Sequence, residues 1–249
     1  AADLLEKNTP TLISLLQTEG KKTLFDAIAE IREAVDFCRY YAAEGRNKFS
    51  ETGNILTGPT GEKNSLHLSG RGIFVAISPW NFPLAIFIGQ IAAALMAGNA
   101  VIAKPAEQTP DIAAFVVSLL HQAGIPEDAL NLVIGDGTVG AELVSHPDVA
   151  GVVFTGSTEV AQSINRTLAA KNGAIVPLIA ETGGQNAMIA DSTALPEQVV
   201  DDVITSAFGS AGQRCSALRV LFVQEEVADR IIPLLKGAIP LLKLGNPKD

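Results

Sequence analysis

The chain is poor in the residues that build disulfide frameworks, metal sites and basic surfaces. Its 249 residues include two cysteines and three histidines. Two cysteines cannot make a disulfide framework, and no Cys or His spacing resembles a metal site. Lys and Arg number 18 against 27 Asp and Glu, for a formal net charge of −9. Without a basic cluster, this balance argues against a nucleic-acid or anionic membrane surface and favours a small-molecule partner.

Long apolar runs are missing as well. The most apolar stretch, Leu84 to Ala97, is interrupted by Gln90 and is shorter than the ~20 residues that a membrane span needs. We therefore predict a buried helix there. No secretory leader is visible, and the few cysteines fit a reducing cytoplasm. With 47% hydrophobic and 18% charged residues, the chain is typical of a globular protein.

The first 51 residues are predicted to be helical. Between Leu24 and Ala42, apolar residues recur at intervals of four and three, which places them on one helical stripe. The set is Leu24, Ile28, Ile31, Val35, Cys38 and Ala42. Cys38 is therefore expected in the core, because free cysteine behaves as a small hydrophobe. Residues 52–71, rich in Gly, Thr and Ser, predict a hairpin-like segment.

From Gly72 onward, short apolar runs alternate with helical ones, which predicts an α/β fold with a parallel sheet covered on both faces. The expected strands are 72–78, 99–105, 130–135, 149–156, 175–182 and 218–224. One helix is clearly punctuated, with Thr109 as N-cap, Pro110 at its first position and Gly124 beyond its end.

Two glycine-bearing stretches resemble phosphate sites. The segment "GDGTVG", 135–140, matches a dinucleotide-binding pattern, with Glu159 at about the expected distance. Glu159 follows a glycine turn instead of ending a strand, so a plain βα turn is favoured. The segment "FTGSTEV" places Gly156 and Ser157 between a strand and a helix, where an anion is stabilised. Ser157 or Thr158 could equally be a simple helix cap.

Three further clusters fall at or just after predicted strand ends, where open α/β sheets build their sites. They are "SPWNFP" at 78–83, "KPAEQTP" at 104–110 and "ETGGQNA" at 181–187. Taken singly, Trp80 and Phe82 could be core residues, Asn81 a helix cap, and Lys104 with Glu107 a surface ion pair.

Together with "GQRC" at 212–215, these motifs resemble the NAD(P)-dependent aldehyde dehydrogenase superfamily. The resemblance implies a Rossmann-like cofactor domain over 72–181 and a partial catalytic domain over 182–249. The upstream text 27–42 is similar to the members that oxidise L-glutamate 5-semialdehyde to glutamate in proline catabolism. Another aldehyde as substrate, or a nucleotide-binding fragment without chemistry, are the alternatives.

The resemblance assigns a catalytic set. It implies that Cys215 is the nucleophile, that Asn81 and the Cys215 backbone N–H hold the oxyanion, and that Glu181 activates water. Without it, Cys215 could be a buried thiol and Glu181 a strand-end carboxylate in an ion pair. Family members that pass the acyl group to coenzyme A commonly lack this base, so Glu181 favours hydrolysis.

The same resemblance assigns the cofactor contacts. It implies that Lys104 and Glu107 bind the adenosine ribose, that Ser157 contacts the pyrophosphate, and that Gly183 allows close approach. The remaining residues expected to line the cleft are Ile77, Ser78, Pro79, Trp80 and Gly156. A carboxylate near the ribose 2′-oxygen repels a 2′-phosphate, so NAD is expected over NADP.

Ser216 is expected either to bind the substrate carboxylate or to be a plain strand-entry hydroxyl; no metal is expected. Trp80 could also be a simple buried wall, and Ala161 replaces a glycine common in the family's G-S-T-x-x-G pattern.

The family continues well beyond the last residue of this chain, so the sequence is expected to be a piece of a longer protein. For that parent the resemblance implies a homo-oligomer, fusion to a proline dehydrogenase domain, and a cytoplasmic location, peripheral to the inner membrane in some arrangements. The partner expected in every case is a small aldehyde.

Overall fold

The computed structural model describes residues 1–247 and divides the chain into two units, Ala1–Glu181 and a second that begins at Thr182. The expected α/β class with a parallel sheet is confirmed. No helix among the described residues combines the length and the apolarity that a bilayer crossing requires.

The first unit begins with three helices. These are α1 (Ala2–Lys7), α2 (Thr9–Thr18) and α3 (Leu24–Lys48). Thr23 caps α3 by accepting from the Asp26 N–H at 3.2 Å, as a threonine preceding a helix commonly does.

The buried face of α3 overlaps the expected stripe only in part. Leu24 and Ile28 are 48% and 38% exposed, whereas Ile31 and Val35 are buried. The face that packs consists of Ala27, Glu30, Ile31, Ala34 and Val35. Two of these buried residues are small alanines, and one is a carboxylate, which a pattern of apolar residues does not detect. Cys38 is half-buried against the core, and burial raises the pKa of its thiol.

Residues 52–71 contain an antiparallel pair of short strands, β1 (Asn54–Leu56) and β2 (Asn64–Leu66). Its apolar side chains Ile55, Leu56 and Leu66 are exposed.

A five-stranded sheet in the order β5-β4-β3-β6-β7 follows. Its strands are β3 (Ile73–Ile77), β4 (Ala100–Lys104), β5 (Leu130–Leu132), β6 (Val149–Gly156) and β7 (Leu178–Thr182). The intervening helices are α4 (Ala85–Met96), α5 (Pro110–Gln122), α6 (Gly137–Ser145) and α7 (Thr158–Ala169). The pairs β3·β4, β3·β6 and β4·β5 are parallel, so the carboxyl ends of these strands lie at one edge of the sheet.

One buried cluster joins the N-terminal helices to one face of the sheet. It includes Leu12 and Leu16 of α2, Ile31 of α3, Phe87 of α4 and Ile112 of α5, all at most 3% exposed. A separate cluster, with Val152 and Ile164, covers the other face beneath α6 and α7.

The second unit pairs β8 (Asn186–Ala190) in parallel with β9 (Leu218–Val223). Helices α8 (Pro196–Phe208) and α9 (Glu225–Ala238) pack on this pair around Val203, Leu218 and Ile231. Strand β9 falls within the range expected from the sequence, whereas β8 was not predicted.

Asn99 joins the end of α4 to the entry of β3. Its Oδ1 accepts from the Arg71 and Gly72 N–H groups at 2.7 and 3.3 Å, and its Nδ2 donates to the Ala94 carbonyl at 3.1 Å. The residue is 8% exposed, and its side chain makes three hydrogen bonds that tie these two segments together.

Replacing Asn99 with alanine is expected to lower the free energy of unfolding by about 1–3 kcal/mol, because three side-chain hydrogen bonds are lost. Chemical denaturation of the variant measures this. The matched control is Asn131→Ala on the exposed face of β5, which should stay within about 0.5 kcal/mol of the wild type. Equal stabilities of the two variants would contradict the assignment.

Candidate active site

Two of the motifs meet at the carboxyl edge of the sheet in the first unit. Ile77, the last residue of β3, pairs with Lys104 at the end of β4 and with Phe154 of β6. One residue further on, the Ser78 N–H donates to the Lys104 carbonyl at 3.2 Å. The segments 78–83 and 104–110 therefore leave the sheet side by side, as expected of strand ends in a parallel sheet.

Gln90 ties this edge together from the middle of the apolar helix α4. Its Nε2 donates to the Ile77 carbonyl at 3.3 Å and to the Thr155 hydroxyl at 3.0 Å. It thereby links the ends of β3 and β6, which explains why a polar residue interrupts the most apolar stretch of the chain.

Lys104 is buried at this edge, with 4% of its surface exposed, which argues against the alternative of a surface ion pair for this residue. Its methylene chain lies over Gly140 of α6, and its Nζ donates to the Pro105 carbonyl at 3.0 Å. Burial lowers the pKa of the ammonium group, while the carboxylates of Glu107 and Asp136 act to raise it. Glu107 itself is exposed and accepts from Gln108.

The loop between β3 and α4 holds Asn81 and the single tryptophan. Asn81 is half-buried, and Trp80 is 42% exposed, so Trp80 is not a fully buried wall. Asn81 is not a helix cap either, since α4 begins after Leu84. Pro79 and Ser78 are buried, and among the described atoms the Ser78 hydroxyl has no hydrogen-bond partner.

The predicted anion site at the start of α7 has the expected local structure. Gly156 ends β6, and a Cβ there would lie 2.5 Å from the Phe154 ring. Ser157 caps the helix by accepting from the Val160 N–H at 3.3 Å. The hydroxyl is therefore at least a cap, and the helix dipole at this end favours negative charge.

The rival glycine pattern at 135–140 is a loop and a helix start. Asp136 caps α6 by accepting from the Thr138 N–H at 2.9 Å. Of its glycines, Gly135 alone has no room for a side chain, because a Cβ would lie 2.5 Å from Val139. Glu159 lies in the first turn of α7 and not at a strand end, so the acidic partner of the pattern is misplaced.

Glu181 lies in β7, exposed, as the last residue of the first unit. Gly183 opens the second unit in an exposed position, with no atom within 4 Å of where a Cβ would stand. Asn81 and Glu181 thus belong to the first unit, and Cys215 and Ser216 to the second.

Cys215 is exposed in the turn between α8 and β9, with Ser216 exposed beside it. The turn is built from three consecutive residues with positive φ: Ser210 at 53°, Ala211 at 54° and Gly212 at 68°. Non-glycine residues in this region cost about 1–3 kcal/mol each and persist only where the surroundings enforce them. Arg219 contributes by donating to the Gly212 carbonyl at 2.9 Å.

The side chain of Asn186 holds residues 215–217, the cysteine segment, through two hydrogen bonds. Its Nδ2 donates to the Cys215 carbonyl at 2.7 Å and to the Ala217 carbonyl at 3.0 Å. Because Asn186 is the first residue of β8 and pairs with Leu218, the amide sits where the cysteine segment enters the sheet. Both contacts lie within the second unit.

Sequence reasoning missed Asn186 and Gln90 as supports of the site. Asn186 stands within the quoted segment "ETGGQNA", and the available signal was a polar residue directly before the apolar run 187–190. Gln90 was noticed only as an interruption of an apolar run. A lone amide in a buried helix needs partners, and the carboxyl edge of the sheet supplies them.

Comparison with known proteins places this geometry in a family. The sequence model of the aldehyde dehydrogenase family matches residues 1–249. The bifunctional protein PutA of Klebsiella aerogenes is 55% identical over 251 residues, which cover 99% of this chain and 18% of that protein. The chain thus spans about a fifth of the length of this curated relative.

Solved structures agree with the sequence match. A mutant of proline utilization A (PutA) from Bradyrhizobium japonicum superposes with a TM-score of 0.95 at 70% identity, covering 99% of this chain and 25% of that one. A 1-pyrroline-5-carboxylate dehydrogenase from Thermus with bound NAD superposes with a TM-score of 0.93 at 34% identity, covering 99% and 48%.

Replacing Asn186 with alanine is expected to loosen the cysteine segment, because two carbonyls lose their donor. Hydrogen exchange in a peptide covering residues 213–219 should accelerate, and the second unit should lose about 1–3 kcal/mol of stability for two hydrogen bonds. Gln198→Ala, on the exposed side of α8, is the control and should change neither. Unaltered exchange in the Asn186 variant would show that the amide does not hold the segment.

Proposed function

The chain belongs to the aldehyde dehydrogenase family, and we propose that it is the part of an NAD-dependent L-glutamate 5-semialdehyde dehydrogenase that carries the cofactor sheet and the nucleophilic cysteine. The observation that carries the proposal is its similarity, over 99% of its length, to proteins named PutA and 1-pyrroline-5-carboxylate dehydrogenase. L-Glutamate 5-semialdehyde is the open form of 1-pyrroline-5-carboxylate, and its oxidation gives glutamate.

The carboxyl edge of the sheet fits a dinucleotide. The buried Ser78 hydroxyl lacks a partner among the described atoms. The buried Lys104 ends a strand at this edge, and Ser157 is the N-cap of a helix that begins there. We assign the ribose to Lys104 and Glu107, and the pyrophosphate to Ser157 and Gly156. Ile77, Pro79 and Trp80 would line the cleft, and Gly183 would leave room for close approach. When bound, NAD supplies the two-electron acceptor of the oxidation.

The chain's own residues carry the remaining steps. The Cys215 thiolate attacks the aldehyde carbon and forms a thiohemiacetal, whose oxyanion is held by the Asn81 amide and the Cys215 N–H. That carbon then loses its hydrogen together with the bonding electron pair, as a hydride for which NAD would be the acceptor, and the C–O bond becomes the carbonyl of a thioester. Glu181 then takes a proton from the attacking water, and the thiolate of Cys215 is the leaving group as the acid is released. Ser216 would hold the substrate carboxylate.

The wider assignments belong to the parent protein. We propose fusion to a proline dehydrogenase part, because the PutA relative is named bifunctional, together with a homo-oligomeric state and a cytoplasmic location. The acidic surface, with a net charge of −9, supports a small-molecule aldehyde over nucleic acid as partner.

Replacing Cys215 with serine is expected to reduce NADH production to the background rate while leaving NAD affinity unchanged, since a serine hydroxyl without an activating base is a poor nucleophile. Absorbance of NADH, with NAD and glutamate semialdehyde supplied, measures turnover, and calorimetry measures affinity. Glu181→Gln is the comparison variant, expected to give a burst of NADH followed by slow turnover. An uncharged aldehyde of similar length should turn over less well than the semialdehyde. Turnover retained in the Cys215 variant, or a folded wild type without any, would refute the proposal for this chain.

Replacing Glu107 with glutamine is expected to raise the ratio of kcat/KM for NADP to that for NAD by about tenfold, because one like charge near the 2′-phosphate is removed. Steady-state kinetics with both cofactors gives the ratio. Glu127→Gln makes the same charge change in the exposed segment before β5, at the amino end of the sheet, and should leave the ratio as it is. Identical ratios in the two variants would remove Glu107 from the ribose site.

A further inference from the structure

Directly after the loop that carries Asn81, the first N–H groups of α4 donate to a carboxylate from another helix. Glu30 of α3 is 1% exposed, and its Oε1 accepts from the Leu84 and Ala85 N–H groups at 2.9 and 3.2 Å. These are the first backbone donors of α4, whose N-cap residue Leu84 makes no side-chain cap. The first N–H groups of a helix need an outside partner. Glu30 supplies it from 54 residues away.

The second oxygen of Glu30 faces a buried lysine. Lys22 is 3% exposed, and its Nζ lies 3.3 Å from Glu30 Oε2. The pair is an ion pair, not a well-aligned hydrogen bond, since Oε2 has no partner by hydrogen-bond geometry. Burial raises the pKa of Glu30, and Lys22 together with the two N–H groups opposes that rise. The net direction is a raised pKa, and the contacts with Lys22 and with the two N–H groups are the features that favour the ionised form of Glu30.

Lys22 also touches the loop directly. Its Nζ lies 4.1 Å from the centre of the Phe82 ring, a cation–π contact. The turn that presents it is constrained, because Lys21 adopts a φ of 52° and a Cβ on Gly20 would lie 2.9 Å from the Leu16 carbonyl. Gly20 also lies against Pro83, the last residue of the motif.

The segment 78–83 is thus fixed at both ends. Ser78 donates to the Lys104 carbonyl at its start, and Lys22 and Glu30 hold Phe82 and Leu84 at its end. Asn81 and Trp80 lie between these anchors. We propose that Lys22 and Glu30 form a positioning pair that sets the place of the Asn81 amide, so that residues of the N-terminal helices act on the oxyanion through this loop.

Trp80 offers a readout that needs no catalysis, because it is the single tryptophan of the chain and lies in the loop itself. Glu30→Gln keeps one acceptor oxygen for α4 while it removes the charge that faces Lys22. We expect its Trp80 emission to shift to longer wavelength and acrylamide quenching to increase. Glu30→Asp, which keeps the charge on a shorter side chain, should fall between this variant and the wild type.

Glu19→Gln is the matched control. Glu19 also caps a helix that is distant along the chain: its Oε1 and Oε2 accept from the Asp111 and Ile112 N–H groups of α5 at 2.9 and 2.8 Å. Both variants should lose thermal stability, since each weakens a tertiary cap, but Glu19→Gln should leave Trp80 emission unchanged. Equal Trp80 signals in the two variants would reduce Glu30 to a helix cap and overturn the proposal.

A kinetic test rests on the proposed function. At saturating NAD, Glu30→Gln is expected to lower the rate of the NADH burst about ten- to a hundredfold, because small misplacements of a catalytic group are costly. In an Asn81→Ala background the same change should cost nothing further, whereas the stability loss should persist. An equal loss of rate in both backgrounds would contradict action through Asn81. A wild type without dehydrogenase activity would refute the proposed function, and the Trp80 comparison would still decide the positioning.

Discussion

The first unit depends on carboxylates that its N-terminal helices insert at the starts of two sheet-covering helices. Helices α4 and α5 begin without a side-chain cap of their own, and Glu30 and Glu19 accept their first N–H groups. Because buried donors must be paired, these helices and the sheet form one cooperative structure with α2 and α3. The shared apolar cluster of Leu12, Ile31 and Phe87 reinforces this coupling.

The parallel order of the strands explains why the candidate site lies at one edge of the sheet. A parallel sheet brings the ends of β3, β4 and β6 together, and each strand there passes into a polar segment. Gln90 and the Ser78 N–H tie those ends to one another. The strand ends at this edge are thus held by the Gln90 amide and by one backbone hydrogen bond. A site held in this way needs little reorganisation when charge develops in it.

Patterns within one element predicted much of the fold. The strand expected at 149–156 matches β6, and Pro110 and Gly124, with a φ of 100°, bracket α5 as expected. The motifs also located the strand ends correctly. What the sequence could not reveal were partners distant along the chain. Thr109 occupies the N-cap position, yet Glu19 makes the hydrogen bonds. The sequence pattern did not indicate Glu30, because a stripe of apolar residues takes no account of a charged residue that is buried. Leu24 and Ile28 share the apolar stripe by spacing, yet the structure leaves them 48% and 38% exposed.

The second unit solves a similar problem with different means. A nucleophile must be exposed to react, yet held well enough to meet its substrate. Cys215, the proposed nucleophile, is exposed as the first condition requires, and the hydrogen bond from Asn186 to its carbonyl is in line with the second. The left-handed turn at Ser210 and Ala211 adds backbone strain just before it, which surrounding contacts such as the one from Arg219 must offset. In both units a segment that carries a proposed catalytic residue is contacted by a supporting side chain from another element: Glu30 at the end of the Asn81 loop, and Asn186 at the Cys215 carbonyl. Supports of this kind are expected wherever reactive groups lie on loops, because a loop without them is too mobile to keep donors and nucleophile within the tolerance that catalysis demands.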